Sequence, residues 1–164
     1  MKSVSPIAFN GTVCMYFAAN EPPIDDAMLM LETDPSARIN NAVVMSNVAP
    51  EVAPDGQALV SATVLGEPQG SIESLVEEVR TEFSSWFGPV ARSWRHLASY
   101  PIAEALPTQP SGALDPVARS VIAGDGVFVC GDHRHHASIH GALESGRAAA
   151  VEATSYIRGS SVDV

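Results

Sequence analysis

From Ile7 to Leu65 the apolar positions come in short runs broken by turn residues, clearest at Thr12 to Ala19, Ala27 to Glu32, Ala42 to Asn47 and Ala58 to Leu65. Runs of this length predict β-strands. Turn chemistry separates them: Asn20, Pro22 and Pro23, then Asp34 and Pro35, then Pro50, Pro54, Asp55 and Gly56. Short breaks between consecutive strands predict an antiparallel meander or hairpins. In the fourth run Leu59, Ser61, Thr63 and Leu65 share one face and Val60, Ala62 and Val64 the other. Neither face is strongly polar, so a further element is expected to pack on the sheet.

The period then changes. Ile72, Leu75, Val76, Val79, Phe83 and Trp86 recur at helical spacing, with Glu73, Glu77, Glu78 and Arg80 mostly off that stripe, so Ser71 to Phe87 predicts an amphipathic helix. Ser71 suits the N-cap, Glu73 the positive end of the helix dipole, and Gly88-Pro89 the stop. Ala91 to Ile102 alternates through Trp94, His96, Ala98 and Tyr100 and predicts another strand, with Val90 to Arg95 equally compatible with a helical turn. His96 beside Trp94 and Tyr100 reads as a packed, hydrogen-bonded histidine. Leu106 to Pro116 holds Pro107, Pro110, Gly112 and Pro116, which disfavours both helix and central strand and predicts a connecting loop. A short apolar strand follows from Gly126 to Asp132, then a stretch with helical potential from Ser138 to Tyr156.

Composition narrows the class. In 164 residues, 46% are hydrophobic and 17% charged, which suits a packed core rather than a disordered chain. Nineteen acids against nine bases give a formal charge of -10. With no Lys/Arg cluster, that balance argues against nucleic acid or an anionic membrane as partner, because both are bound through phosphate neutralisation. No run approaches the ~18 consecutive apolar residues of a membrane span. Cys14 and Cys130 lie far apart in a chain without a secretory leader pattern, and both read as buried thiols in a reducing compartment, so a cytoplasmic location is expected. Neither a Ser/His/Asp nor a Cys/His arrangement has a spacing that supports nucleophilic catalysis.

The chemistry concentrates at the C-terminal end. A strand ending in Gly131-Asp132, a loop, and a helix opening at Ser138 can hold a polar ligand, because the first helical turn leaves backbone N–H groups unpaired and adds about half a positive charge. Gly131 allows close backbone approach and Asp132 offers acceptors to sugar or polyol hydroxyls. Gly141, Ala142, Ser145, Gly146 and Ala149 give the helix a face of small residues.

The sequence from Gly126 to Ala150, GVFVCGDHRHHASIHGALESGRAAA, resembles the closing flavin-binding motif of the flavin-containing amine oxidase family, which includes protoporphyrinogen oxidase and phytoene desaturase relatives. Tyr16-Phe17-Ala18-Ala19, Asn40-Asn41, Val48-Ala49-Pro50, Trp86-Phe87-Gly88 and Tyr100-Pro101-Ile102 are similar to the substrate-domain stretch before that motif. The resemblance implies FAD as cofactor, with Gly131 and Asp132 at its ribityl and phosphate side. It implies Ser138, Ile139 and His140 at the pyrimidine edge of the isoalloxazine, where backbone N–H groups face N1 and the C2 carbonyl, with Ala142 on the small face beside them. Members close to this chain often carry Asn where His140 stands.

The resemblance also implies a division of the chain: 1–105 as substrate-domain sheet and helix, 106–125 as connecting loop, and 126–158 as a C-terminal FAD-binding strand, loop and helix, together one compact unit. The fold class expected is α+β, an antiparallel or mixed sheet with an amphipathic helix, plus the final strand and helix of an FAD-binding domain. No Gly-x-Gly-x-x-Gly turn for the ADP half of FAD precedes Gly126. The expectation is therefore the C-terminal part of an FAD-dependent oxidoreductase, inactive by itself, whose partner is an N-terminal FAD-binding portion or subunit, with a homodimer as a further expectation. No catalytic residue is assigned. Two other classes stand beside it: a non-catalytic binding or assembly module, and a metal-binding protein built on His133, His135, His136 and His140, for which the spacing matches no recurring four-ligand pattern, so no metal is assigned.

Overall fold

The computed structural model of the protein describes residues 7–68 and 70–160, so residues 1–6 of the first expected segment lie outside the described residues. The fold is α+β. Its described residues form two compact units, one spanning Gly11–Ala105 and the other residues 7–10 with 106–160.

The first unit is a sheet with a helix. Strands β1 (Phe9–Ala19), β2 (Leu29–Leu31), β3 (Ile39–Val44), β4 (Ala58–Leu65) and β5 (Arg95–Pro107) form a five-stranded sheet in the order β2-β3-β4-β1-β5. The pairs β1–β4, β2–β3 and β3–β4 are antiparallel. A simple meander would have kept β1 at an edge. Instead β1, whose Val13, Met15, Phe17 and Ala19 are all buried on one face, takes the place beside β4, where Val60 and Ala62 are fully buried. Putting the two most apolar strands at the centre removes the most surface from water.

The second expected strand narrows to three residues, and the third begins earlier, at Ile39, and ends at Val44. Met45, Ser46 and Asn47, expected to extend that strand, lie instead in the short helix α1 (Met45–Val48), and Pro50–Val52 follows as a 3-10 turn. Pro50 permits such a turn at its N-terminus and cannot donate to a ladder. Helix α2 (Ile72–Phe87) matches the apolar stripe: Leu75, Val76, Val79 and Phe83 are buried against the sheet. Ser71 caps it, its hydroxyl accepting from Ser74 N at 3.2 Å, and Gly88 ends it with φ +83°, a conformation glycine adopts without steric cost.

Phe83 anchors an aromatic cluster, with ring centroids 5.2 Å from Trp94, 5.7 Å from Phe17 and 5.9 Å from both Trp86 and Phe87. Polar bonds fix the helix on the sheet at its edges. Glu82 Oε2 accepts from Ile39 N at 2.8 Å, Arg80 Nε donates to Trp94 O at 3.1 Å, and Trp86 Nε1 donates to Glu32 Oε2 at 3.1 Å. Pro89–Ser93 forms a 3-10 turn, the helical alternative for that stretch, so β5 starts only at Arg95. His96 is half-buried, its Nε2 2.8 Å from Ser99 Oγ and its ring 5.5 Å from Phe17.

In the second unit, β5 runs to Pro107 and strand β6 (Ile122–Gly124) lies inside the segment expected to be loop. The expected strand from Gly126 to Asp132 shortens to β7 (Val127–Phe128), which pairs antiparallel with β6 around a turn where Gly126 has φ +67°. Val129 N still donates to Val121 O at 2.8 Å, and past it the chain leaves the ladder. Cys130 is consequently exposed, and Cys14 is only half-buried in the sheet unit, so neither cysteine is the fully buried thiol expected. Helix α3 (Ile139–Ser160) is the last described element. Among the described residues no helix is long and apolar enough to cross a membrane.

Candidate functional site

The six residues singled out at the C-terminal end fall in one loop and the first turn of one helix. Gly131 follows β7 with φ +141°, a backbone conformation that disfavours side chains, and Asp132 opens a 3-10 turn that runs to Arg134. The Ser145 hydroxyl reaches back to this point from α3. It accepts from Gly131 N at 2.9 Å, and its one proton is shared between Gly131 O at 2.8 Å and Ala142 O at 2.9 Å. Ser145 is buried, and with Gly141 and Ala149 it forms a stripe four residues apart that faces inward, so the small face has a structural use.

Ser138 is the N-cap of α3, its Oγ accepting from Gly141 N at 3.0 Å while its carbonyl accepts from Ala142 N at 2.9 Å. The same Oγ lies 2.8 Å from His136 Nδ1. The hydroxyl accepts from Gly141 and keeps both a proton and a second lone pair, so it can donate to that nitrogen or accept from it according to the imidazole tautomer. Ile139 and His140 supply the first two N–H groups of the helix, and these have no carbonyl partner within it. The helix can start this close to the loop only because residue 141 is glycine: a Cβ there would collide with the His136 carbonyl oxygen.

Electrostatics and unpaired atoms mark the loop as polar. Burial, then the neighbouring Arg134 charge, push the His133 imidazole below its ordinary value. Arg134 Nε and His135 Nδ1 are buried without a hydrogen-bond partner among the described residues. Asp132 is the first residue of the 3-10 turn, and Gly131 at its N-cap has no side chain with which to cap it. The histidine rings lie near one another, His135 to His136 at 4.6 Å and His136 to His140 stacked at 5.7 Å. Among the described residues, however, no three His, Cys, Asp or Glu side chains converge as metal ligands. Glu144 and Arg147 pair with each other at 3.0 Å on the outer side of α3, and that bond holds the Glu144 carboxyl below its usual range.

Two residues that shape the loop carry no local sequence signal. Gln109 Nε2 donates to His135 O at 2.7 Å and its Oε1 accepts from Ala137 N at 2.9 Å. Arg119 donates from its backbone N to Arg134 O at 2.9 Å and from Nη1 to His133 O at 3.3 Å. Neither stands in a motif, and both lie well before the loop in sequence. A cleft of about 480 Å³ in the same unit, lined by Ile122, Asp125, Phe128, Glu152 and Tyr156 among others, contains none of the expected site residues.

These features define a class first: an α+β protein with a polar loop leading from a β-hairpin into the open N-terminus of a long helix. The sequence profile described as flavin containing amine oxidoreductase matches residues 2–154, and the chain belongs to that family. No functionally curated protein matches it significantly. Among solved structures, an oxidoreductase from Methanosarcina mazei is similar with a TM-score of 0.64 and 19% identity, over 87% of this chain and 34% of its own. A protein from Pyrococcus furiosus gives a TM-score of 0.56 at 15% identity, over 93% of this chain and 33% of its own. A reduced UDP-galactopyranose mutase gives 0.58 at 14%, over 77% and 29%. At these identities the likeness is one of fold, and the chain spans about a third of the length of each structure.

Proposed function

We propose that the chain is the C-terminal part of an FAD-dependent oxidoreductase, contributing the substrate-side sheet and the closing contact to the flavin. The observation that carries this reading is the loop from Gly131 to Ser138 feeding the uncapped N–H groups of Ile139 and His140, within a chain of the amine oxidoreductase family. The residues fit such a cofactor. Among the described residues two buried nitrogens, on Arg134 and His135, lack partners, the helix start offers two donors, and Asp132 at the first position of the 3-10 turn offers a carboxylate acceptor.

When bound, FAD supplies the two-electron oxidation of the substrate. The chain's own residues bind and orient it. Ile139 N and His140 N would donate to the pyrimidine edge, where the positive end of α3 favours electron-rich atoms, and Ser138 keeps those donors aimed by closing the first turn. Asp132 would accept from the ribityl hydroxyls, and Gly131 lets the backbone approach the phosphate side. Ala142 leaves room beside the first turn.

The pyrophosphate-binding turn is not among these 164 residues, so an N-terminal FAD-binding portion or subunit is the required partner, and the chain alone holds FAD weakly and does not turn over. Exposed Ile139, Leu143 and Val151 on α3 suit a helix that such a portion covers, or in its absence a second copy of the chain. A cytoplasmic location accords with this reading. The same exposed residues favour the second reading, a non-catalytic assembly module. The test is the visible spectrum of the purified chain after incubation with FAD and removal of excess, with metal content on the same sample. A nearly colourless, metal-free protein is expected. Flavin retained near one per chain overturns the claim that the pyrophosphate site is needed, and stoichiometric metal moves the assignment to the histidine loop.

A further inference from the structure

The loop that leads into α3 is shaped from outside itself. Three of its consecutive carbonyls, on His133, Arg134 and His135, accept bonds from Arg119 and Gln109, and Ala137 N donates to Gln109. The proline-containing stretch before β6 is thus a template for the loop and more than a connector. Gln109 does the most specific part. Its carboxamide donates to the carbonyl of one residue and accepts from the N–H two residues on, the spacing at which such groups recur on one side of an extended chain. His136 sits between those two bonds and faces Ser138 Oγ, and Ser138 follows directly after Ala137. Holding Ala137 N therefore sets where the cap hydroxyl falls over Gly141 N, and with it where the free N–H groups of Ile139 and His140 point.

We propose that Gln109 is a positioning residue of the candidate cofactor site, fixing the loop backbone so that the α3 N-terminus meets the flavin in one orientation. The identity of the ligand rests on the flavin reading above. The role needs a donor and an acceptor on one planar group. Apolar volume does not replace it, and an ionised carboxylate, which has no donor, meets the His135 carbonyl with repulsion.

Two substitutions in the full chain separate these requirements. Gln109→Met keeps the length and removes both bonds, whereas Gln109→Glu loses the donor when ionised and regains it when protonated. Hydrogen exchange at the Ala137 amide is expected to quicken about thirtyfold in Gln109→Met, the effect of two net hydrogen bonds, with β4 amides unchanged. Gln109→Glu, which keeps the acceptor for Ala137 N and loses the donor to His135 O, falls between wild type and Gln109→Met near pH 7 and returns toward wild type near pH 4, after the intrinsic pH dependence is removed using the wild-type chain. On addition of FAD in large excess, the Ile139 and His140 amide resonances shift in wild type. At equal FAD the shift falls about fivefold in Gln109→Met and recovers in Gln109→Glu on acidification. Unchanged Ala137 exchange in Gln109→Met overturns the proposal, as does a loosened loop that answers FAD as wild type does. If wild-type Ile139 and His140 ignore FAD, the flavin reading fails and takes the proposal with it, while the Ala137 rates still report whether Gln109 orders the loop.

Discussion

The two units are held together by different physics. The sheet unit buries long side chains: Val13, Met15, Phe17, Val60, Val79 and Phe83 are completely removed from water, and their area is its main source of stability. The C-terminal unit buries short ones. Gly141, Ser145 and Ala149 face inward along α3, while Ile139, Leu143 and Val151 face out, the reverse of an ordinary amphipathic helix. Its order comes from close backbone approach and from side-chain bonds to main-chain groups, by Ser145, Ser138, Gln109 and Arg119. Apolar area tolerates substitution by similar volume, whereas bonds of fixed length do not. A region built the second way suits a binding surface, because its polar groups are held in place before a ligand arrives.

Both tryptophans lie in the sheet unit, so their fluorescence reports that unit, and amide exchange reports the loop and α3. The largest effect is expected from Phe83→Ala, which empties the centre of the aromatic cluster and costs about 3–5 kcal/mol in urea unfolding followed by tryptophan fluorescence. Gly141→Ala should be next, at up to about 3 kcal/mol, because its methyl group meets a backbone carbonyl that must move. The cost should appear as faster exchange at Ala137 and in the first turn of α3, with the fluorescence transition unmoved; a shifted fluorescence midpoint would dissolve the contrast between the units. Ser145→Ala removes the link to Gly131 and should cost about 1–2 kcal/mol, seen in the same amides.

The smallest effect is a slope with pH. His133 has a lower pKa folded than unfolded, so between the two values the unfolded chain binds more protons. Its contribution is complete above its ordinary value of 6.5 and is lost as the pH falls through the folded value. Exchange at Arg134 and His135 amides, taken relative to the intrinsic rate at each pH, should accelerate on acidification in that window. In His133→Gln the extra acceleration should vanish, and a wild-type profile in that variant would assign it to another histidine.

Where a signal is local and repeated, the sequence carried it. The period of Ile72 to Trp86, with Ser71 before it and Gly88 after, fixes α2 and its buried face because capping and amphipathicity act over a few residues. The alternation of Ala58 to Leu65 fixes β4 to the residue. Short or competing signals went astray: Met45–Val48 has strand-like composition yet coils before Pro50, and Cys130 lies beyond a β7 only two residues long. At the candidate site, the small-residue face and Ser138 as cap were legible, since both are helix properties.

Sequence alone determined the α+β class, the amphipathic helix, the acidic character and, through Gly126 to Ala150, the family. Tertiary structure decided that β1 lies between β4 and β5, that Ser145 bridges Gly131, and that Gln109 and Arg119 mould the loop. The reason is range. Strand order depends on which apolar faces bury most surface together, and a side chain finds a main-chain partner 26 residues away only once the backbone is folded.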